Sequence, residues 1–522
     1  MIRYVSLPVL IFFLIAGTVQ SQIITPSTVS EDLLRIAEIE TDSTLFLNTL
    51  NAVNYTVPIK TNSDSLGFSL ERRALDNEIR ILEPQTFLHY NTKYARGYND
   101  GAVWKGRGLT YELHAGFQAN YRFIDITIQP VLYYSANRSF ELPDPNPDKT
   151  PYSYPYSPKI DYVLRYGDSS FWEFHPGQSD ISLHFSPVRI GFSTQNMKWG
   201  PAFFHPIIMS NNAPGFPHAY IAIDDPVDIW FGDLQVKQLW GALRESDYFN
   251  SNSSDNLRYM TGVSIGFEPQ WIDGLHLGFD RSFYTKWSEF DYNLKELFVT
   301  TIRFDAPPDP EEGLANDEFD QLASATARWT FPEVGFEPYI ELAYNDFGFS
   351  VLGPEPEHSR AIMLGFTKIF DISPSQKIAM TMEHTTLGFT RTSLVRPTLS
   401  YYMHSITRQG YTHQGQIIGS GIGPGSHTTN LFIRFYKKNV MHGFLLNYIR
   451  FYDDYYYENF DATDRHDYEV SLGYNGVFHI SNFRLETGLI ISRRQNLHFI
   501  KGNDVYNLQL SVGVTPTQLF DF

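Results

Sequence analysis

Cysteine is absent from this 522-residue chain. Disulfides, thiol nucleophiles, iron–sulfur clusters and thiolate zinc sites are thereby excluded. Positive charge is also in short supply. Forty lysines and arginines face 58 aspartates and glutamates, for a formal net charge of -18. Such a chain repels phosphate backbones, so nucleic acid is not its partner. Charged residues of both signs make up only 19%, below the usual quarter. Past residue 21 no apolar stretch approaches the roughly 18–20 residues that a membrane helix needs. If the mature chain enters a membrane, a closed β-barrel is the remaining way to satisfy every backbone group in lipid.

Aromatic residues are plentiful. Tyr (33), Phe (41) and Trp (8) supply 16% of the chain, while mean hydropathy stays negative at -0.27. A barrel with a wet lumen and aromatic girdles needs this balance. The N-terminus, MIRYVSLPVLIFFLIAGTVQS, has the form of a secretory signal peptide over 1–21. Arg3 gives it a positive start, Val9 to Ala16 an apolar stretch, and Val19 and Ser21 small residues before cleavage. No Cys follows that point, which rules out a lipoprotein anchor.

Residues 22–105 lack clear alternation. Ser30-Glu31-Asp32 before Leu33, Leu34 and Ala37 has the form of a capped helix start, and Leu66 to Leu82 is loosely helical. This stretch is expected to be a small, partly helical periplasmic segment. From about residue 108 the period becomes two. Tyr111, Leu113, Ala115, Phe117, Ala119 and Tyr121 alternate with Glu112, His114, Gly116, Gln118 and Asn120. The same pattern recurs at Ile124–Gln129, Asp180–Phe185, Lys377–Glu383, Asp467–Tyr474 and Tyr506–Val514. A soluble sandwich also alternates. Runs of roughly nine to eleven residues, rimmed by Tyr or Phe, match tilted transmembrane strands instead. The expectation is all-β: a large antiparallel transmembrane barrel over 106–522. Phe522 suits the terminal aromatic of outer-membrane barrels, although Pro516 interrupts the last strand. Residues 141–178, 304–320 and 451–467 are candidate outer loops or lumen plugs.

Few motifs carry chemistry. Gly419 to Gly425 lacks the Lys-Ser/Thr of a phosphate-binding loop and is expected to be a flexible turn. His384, His404, His413 and His427 match no metal spacing. Asp180, Ser182 and His184 share a face, but a period of two forces that coincidence. No catalytic residue, metal or cofactor is assigned. The acidic, Tyr-rich segment 451–467 suits sugars, whose C–H faces stack on rings and whose hydroxyls pair with carboxylates. Asp453, Asp454, Tyr455 and Tyr456 are its candidate ligands, with a solvated acidic loop as the bland alternative.

Two segments go further. Tyr98-Asn99-Asp100-Gly101-Ala102-Val103-Trp104-Lys105-Gly106-Arg107-Gly108 leads into the first clear strand. Trp199-Gly200-Pro201 precedes Met209-Ser210-Asn211-Asn212-Ala213-Pro214-Gly215-Phe216-Pro217-His218. Together with Gly278-Phe279-Asp280-Arg281-Ser282-Phe283 they resemble the capsule assembly Wzi family of outer-membrane proteins, from about residue 90 onward. The resemblance implies a barrel of about 18 strands, occluded rather than porous. It implies a lectin-like, non-catalytic role in attaching capsular or extracellular polysaccharide at the Gram-negative cell surface. Outer-membrane lipids would be the other partner, and a porin-like channel for small solutes or oligosaccharides the alternative. Trp199, Asn211 and Asn212 join the candidate ligands. Trp104, Gly106, Gly108, Gly200, Pro201, Ser210, Ala213, Pro214 and Gly215 are expected to shape the loops.

Overall fold

The computed structural model describes residues 28–41, 48–51, 77, 79–145, 149–250, 252, 255–302, 319–345, 349–350, 353–354, 359–389, 399–460 and 464–516. The signal peptide, the terminal Phe522 and most of the acidic stretch 304–320 lie outside these residues. No helix among the described residues is long and apolar enough to cross a membrane. That says nothing of strands, and strands are what the chain builds.

Among the described residues, alternation closes into one antiparallel barrel of 18 strands. Neighbours in sequence are neighbours in space throughout. Two of the strands are interrupted: Ile124–Ile128 continues as Val131–Ser135, and Phe171–His175 continues into Asp180–Phe185. Pro130 falls at the first break, where a ladder donor is missing. The seam pairs the first strand, Ile79–Asn91, with the last, Val505–Pro516, in the register Thr86↔Val514 to Asn91↔Gln509.

The barrel begins at Ile79, not near residue 106. Ile79 to Leu82, expected to be helical, is strand. A register shift between Leu82 and Gln85, across Glu83-Pro84, breaks the alternation that would have revealed it. Pro516 does not interrupt the described part of the last strand, Val505–Pro516, but is its final residue.

The barrel's polarity is inside out. Leu88, Ile181, Leu472 and Val512 are exposed, whereas His89, Ser182, Ser471 and Gln509 on the alternate faces are buried. A soluble sandwich buries its apolar face; only a lipid-facing barrel shows it to the outside. Trp230, Trp271 and Trp329 stand exposed at the short-turn end, and Trp172, Tyr448 and Tyr506 toward the other, which forms two girdles at the bilayer boundaries. Short turns such as Ser481-Asn482 mark one end, and long connections such as 136–170 and 194–217 mark the other. By the usual asymmetry of such barrels the first end is periplasmic and the second extracellular.

Helix α1, Val29–Thr41, lies inside the lumen near the short-turn end. Leu33, Leu34, Ile36 and Ile39 pack on Ile369, Ala379, Tyr436, Met441 and Val477. Its charged face is matched to the wall: Arg35 pairs with Glu337 (2.7 Å), Glu38 with Arg328 (2.8 Å), Asp32 with Arg434, Glu31 with Lys198 and Glu40 with Lys377.

Candidate functional site

The lumen is filled from the extracellular side by loops that fold inward. The connection 194–217 reaches helix α1. Trp199 is fully buried, and its backbone N–H donates to Met209 O at 3.1 Å. Strand residue Gly262 makes room for the indole, since a Cβ there would sit 2.7 Å from the ring. Gly200 adopts φ +79°, in the left-handed region. Pro201 O accepts from Arg35 of α1 at 2.7 Å. The next backbone amides, Phe203, Phe204 and His205, donate to the carboxylate of Glu383 on the wall at 2.6, 3.1 and 2.8 Å. Ile207 N donates to Glu341 at 3.0 Å. Irregular backbone inside a barrel requires such partners.

The SNNAPGF stretch meets the NDGAVWKGRG stretch face to face. Gly101 N donates to Asn211 O at 2.7 Å, and Asn211 Nδ2 donates to Asn99 O at 2.8 Å. Asn212 Nδ2 reaches Ile417 O at 2.9 Å, Ser210 Oγ reaches Gly419 O at 2.7 Å, and Ala213 O accepts from Asn196 at 2.8 Å. A Cβ on Gly215 would lie 2.0 Å from Thr194 O, and one on Gly106 would lie 2.9 Å from Ser135 Oγ. Pro214 is buried beside them, and Gly108 holds φ +93°. Both segments are therefore parts of one plug. Gly419 to Gly425 is no free turn either: Ser420 and Ile422 are buried, and Gly425 O holds Asp453 N at 2.9 Å.

The segment Tyr94–Lys105 divides what space remains. Tyr94 Oη and Arg96 Nε both donate to Glu469 on the wall, at 2.6 and 2.9 Å. Lys105 pairs with Asp100 at 2.6 Å. Outside this partition is a vestibule of about 550 Å³ among the extracellular loops. Its lining combines Trp104, Tyr156, Tyr162 and Tyr452 with Arg107 and Asp504. Tyr156 is the hub of the aromatic wall, with ring centroids 4.5 Å from Tyr455, 5.2 Å from Tyr452 and 5.4 Å from Phe499. Arg494 grips Asp467 with two bonds, at 2.6 and 2.8 Å, behind it. Inside the partition lies a second chamber of about 510 Å³. Tyr98, Asp100, Val103 and Lys105 line both.

The predicted ligands are brought together only in part. Asn212 lines the vestibule, and Tyr455 backs its aromatic wall. Asp453, Asp454 and Tyr456 are buried in the helix Asp453–Asn459. Asp453 pairs with Arg450 (2.6 Å) and His466 (3.0 Å), and Asp454 accepts from Phe389 N at 2.7 Å. Burial above all, then the neighbouring charges of Asp453 and Glu458, pushes the Asp454 carboxyl up to about 7. Tyr156 and Tyr162 were missed. The signal was there in the Tyr-Pro spacing of residues 152–162, in which proline stiffens the chain around evenly placed rings.

The other polar clusters are spent on structure. His384 meets Thr429, His404 accepts from Thr407 N, His413 from Arg244 N, and His427 meets Thr386. Ser182 accepts from Arg189 and Asp180 from Tyr220.

A family model for the capsule assembly protein Wzi matches residues 83–448. Among solved structures, the chain is similar to one described as Wzi, an outer-membrane protein involved in group 1 capsule assembly in Escherichia coli and a carbohydrate-binding β-barrel. That likeness has 13% identity, covers 96% of this chain and 99% of the other, and has a TM-score of 0.62. Weaker likenesses include OccAB2 of Acinetobacter baumannii, with 12% identity, coverage of 84% and 98%, and a TM-score of 0.40. OccK2 of Pseudomonas aeruginosa has 9% identity, coverage of 85% and 98%, and a TM-score of 0.42. No curated protein matches the chain.

Proposed function

Because the chain belongs to the capsule assembly protein Wzi family, an outer-membrane family by its barrel and girdles, we propose that it binds surface polysaccharide in its extracellular vestibule. Binding there would hold capsule or exopolysaccharide at the cell surface without chemistry. The observation that carries this reading is the wall of Trp104, Tyr156, Tyr162 and Tyr452 beside Arg107 and Asp504, in a cavity of about 550 Å³ open to the loop end. Aromatic faces take the apolar side of a sugar ring, and the charged groups take its hydroxyls. Asn212 and Tyr455 contribute at the floor and the wall. Trp199, Asn211, Tyr456, Asp453 and Asp454 act from behind, by fixing the loops that carry this surface.

The plug favours holding over passage. Helix α1, the 194–217 loop and the 399–426 loop occupy the lumen in turn, which is poor design for a porin.

The test pairs purified protein with the cell. The barrel in detergent should retain the producing organism's own polysaccharide, and a clean deletion should leave polymer made but shed into the medium. A purified barrel that retains none, together with unchanged surface and shed polymer in the deletion strain, would overturn the reading.

A further inference from the structure

The inner chamber has a chemistry of its own. Its volume, about 510 Å³, falls within the roughly 300–1,000 Å³ of small-molecule sites. An adjoining space of about 270 Å³ shares His89, Asn475 and Ser511 with it. Charged residues line the chamber, yet each is matched within the protein. Glu31 is held by Lys198, Asp32 by Arg434, and Asp100 by Lys105. Glu112 is held by His89 and His114 together, and Glu486 by Arg484. With the ions paired off, neutral groups dominate the surface that remains. Gln85, Gln129 and Asn475 present amides, Ser511 presents a hydroxyl, and Phe87 presents a ring. Amides and a hydroxyl both donate and accept, as do the hydroxyls of a sugar. An ion entering the chamber would lose its hydration among acids that already have hydrogen-bonded partners.

We propose that this chamber is a second binding site, for a neutral saccharide of one or two rings, separate from the outer vestibule and walled off from it by Tyr98, Asp100, Val103 and Lys105. The outer site offers aromatic walls and charges to a polymer. The inner one offers amides to a short neutral piece of sugar.

The absence of cysteine makes the test direct. Ser511→Cys places a single thiol on the chamber wall of the full-length, detergent-solubilised barrel. Its alkylation by iodoacetamide is followed while glucose, maltose or glucuronate is titrated in. A sugar at twice its Kd slows labelling about threefold. The expected result is protection by glucose or maltose, weaker protection by glucuronate, reduced protection when Asn475→Leu replaces an amide of the lining with an apolar side chain, and unchanged protection in Tyr156→Ala. The last arm separates this site from the outer one, so either can fail alone. Heat-modified electrophoretic migration confirms that each variant is folded. Fragments of the cell's own surface polymer, run beside the free sugars, distinguish a polymer end from a free sugar as the occupant. A folded variant whose thiol is not reached by iodoacetamide, or is labelled at the same rate with and without both neutral sugars, overturns the proposal.

Discussion

Removing the carboxylate of Glu337 should loosen helix α1 within the lumen. Glu337 is fully buried. One of its oxygens accepts from Arg35 of α1 at 2.7 Å, and the other accepts from Arg328 on the neighbouring strand. In Glu337→Ala the two guanidiniums stay close; Glu38 still pairs with Arg328, but Arg35 loses its direct carboxylate partner and keeps only the more distant Glu31 and Glu383. Undocking the helix would return Arg35 to water, so the penalty falls on the docked state. Breaking a buried pair by removing one partner costs about 3–5 kcal/mol. At about 1.4 kcal/mol per tenfold, docking weakens on the order of a hundredfold to a few thousandfold. Hydrogen exchange read by mass spectrometry on the detergent-solubilised barrel measures this. Peptides covering 29–41 should exchange faster by up to that factor, while the strand Tyr468–Ile480 keeps its protection. Arg35→Met in the same background should recover most of the loss, because no unmatched charge is then buried. Unchanged protection of 29–41 in Glu337→Ala would refute the reasoning. It would mean that the apolar face of α1 and its four remaining ion pairs hold the helix without this one.

Tyr156→Ala removes the hub of the vestibule's aromatic wall and should weaken polysaccharide retention by about 1–2 kcal/mol, or 5- to 30-fold, with equal binding by variant and parent counting against the vestibule. Gly200→Ala forces a side chain into the left-handed region beside Thr326, whose Cγ2 would lie 3.2 Å away. It should cost about 1–2 kcal/mol, read as faster exchange across 197–210 and not across the seam strands. Asp454 gives a pH dependence. Its folded carboxyl, at about 7, binds a proton more tightly than the unfolded chain does. Its stabilisation is therefore complete below the ordinary carboxylate range and lost as pH rises through about 7. Intrinsic-rate-corrected protection of the helix Asp453–Asn459 should fall across that window, and Asp454→Asn should flatten the profile.

Much of the wall could be read from sequence, and little of its filling. Strands such as Gly108–Tyr121 and Tyr468–Ile480 face lipid on one side and the lumen on the other, so their alternation is a local property. Ile79–Asn91 escaped because one bulge at Glu83-Pro84 shifts the phase halfway along. The capped start at Ser30-Glu31-Asp32 announced α1, but its place in the lumen depends on Glu337, Arg434 and Lys198, far away in the chain. Asp453 and Asp454 looked like exposed ligands because acids beside tyrosines are usually solvated. Arg450, His466 and Phe389 N bury them, and no local pattern records such partners.

The inward carboxylates explain why a chain so acidic can fill its own barrel. Glu383 receives three consecutive backbone N–H groups, Glu341 receives Ile207 N, and Asp280 receives Asn48 Nδ2 at 2.7 Å. Each of these acids belongs to a wall strand, and each donor belongs to a segment folded into the lumen. A channel built to pass cations would leave such carboxylates to water and to the permeating ion. Here they serve as sockets for irregular backbone that has no ladder to join. Alternation with Asp and Glu on the inner face is thus compatible with a conduit and with a plugged scaffold alike. In this barrel the donors lie in the 194–217 loop and at Asn48. The wall acids thereby fix loops in place, and fixed loops are what the polysaccharide-binding rim proposed above would require.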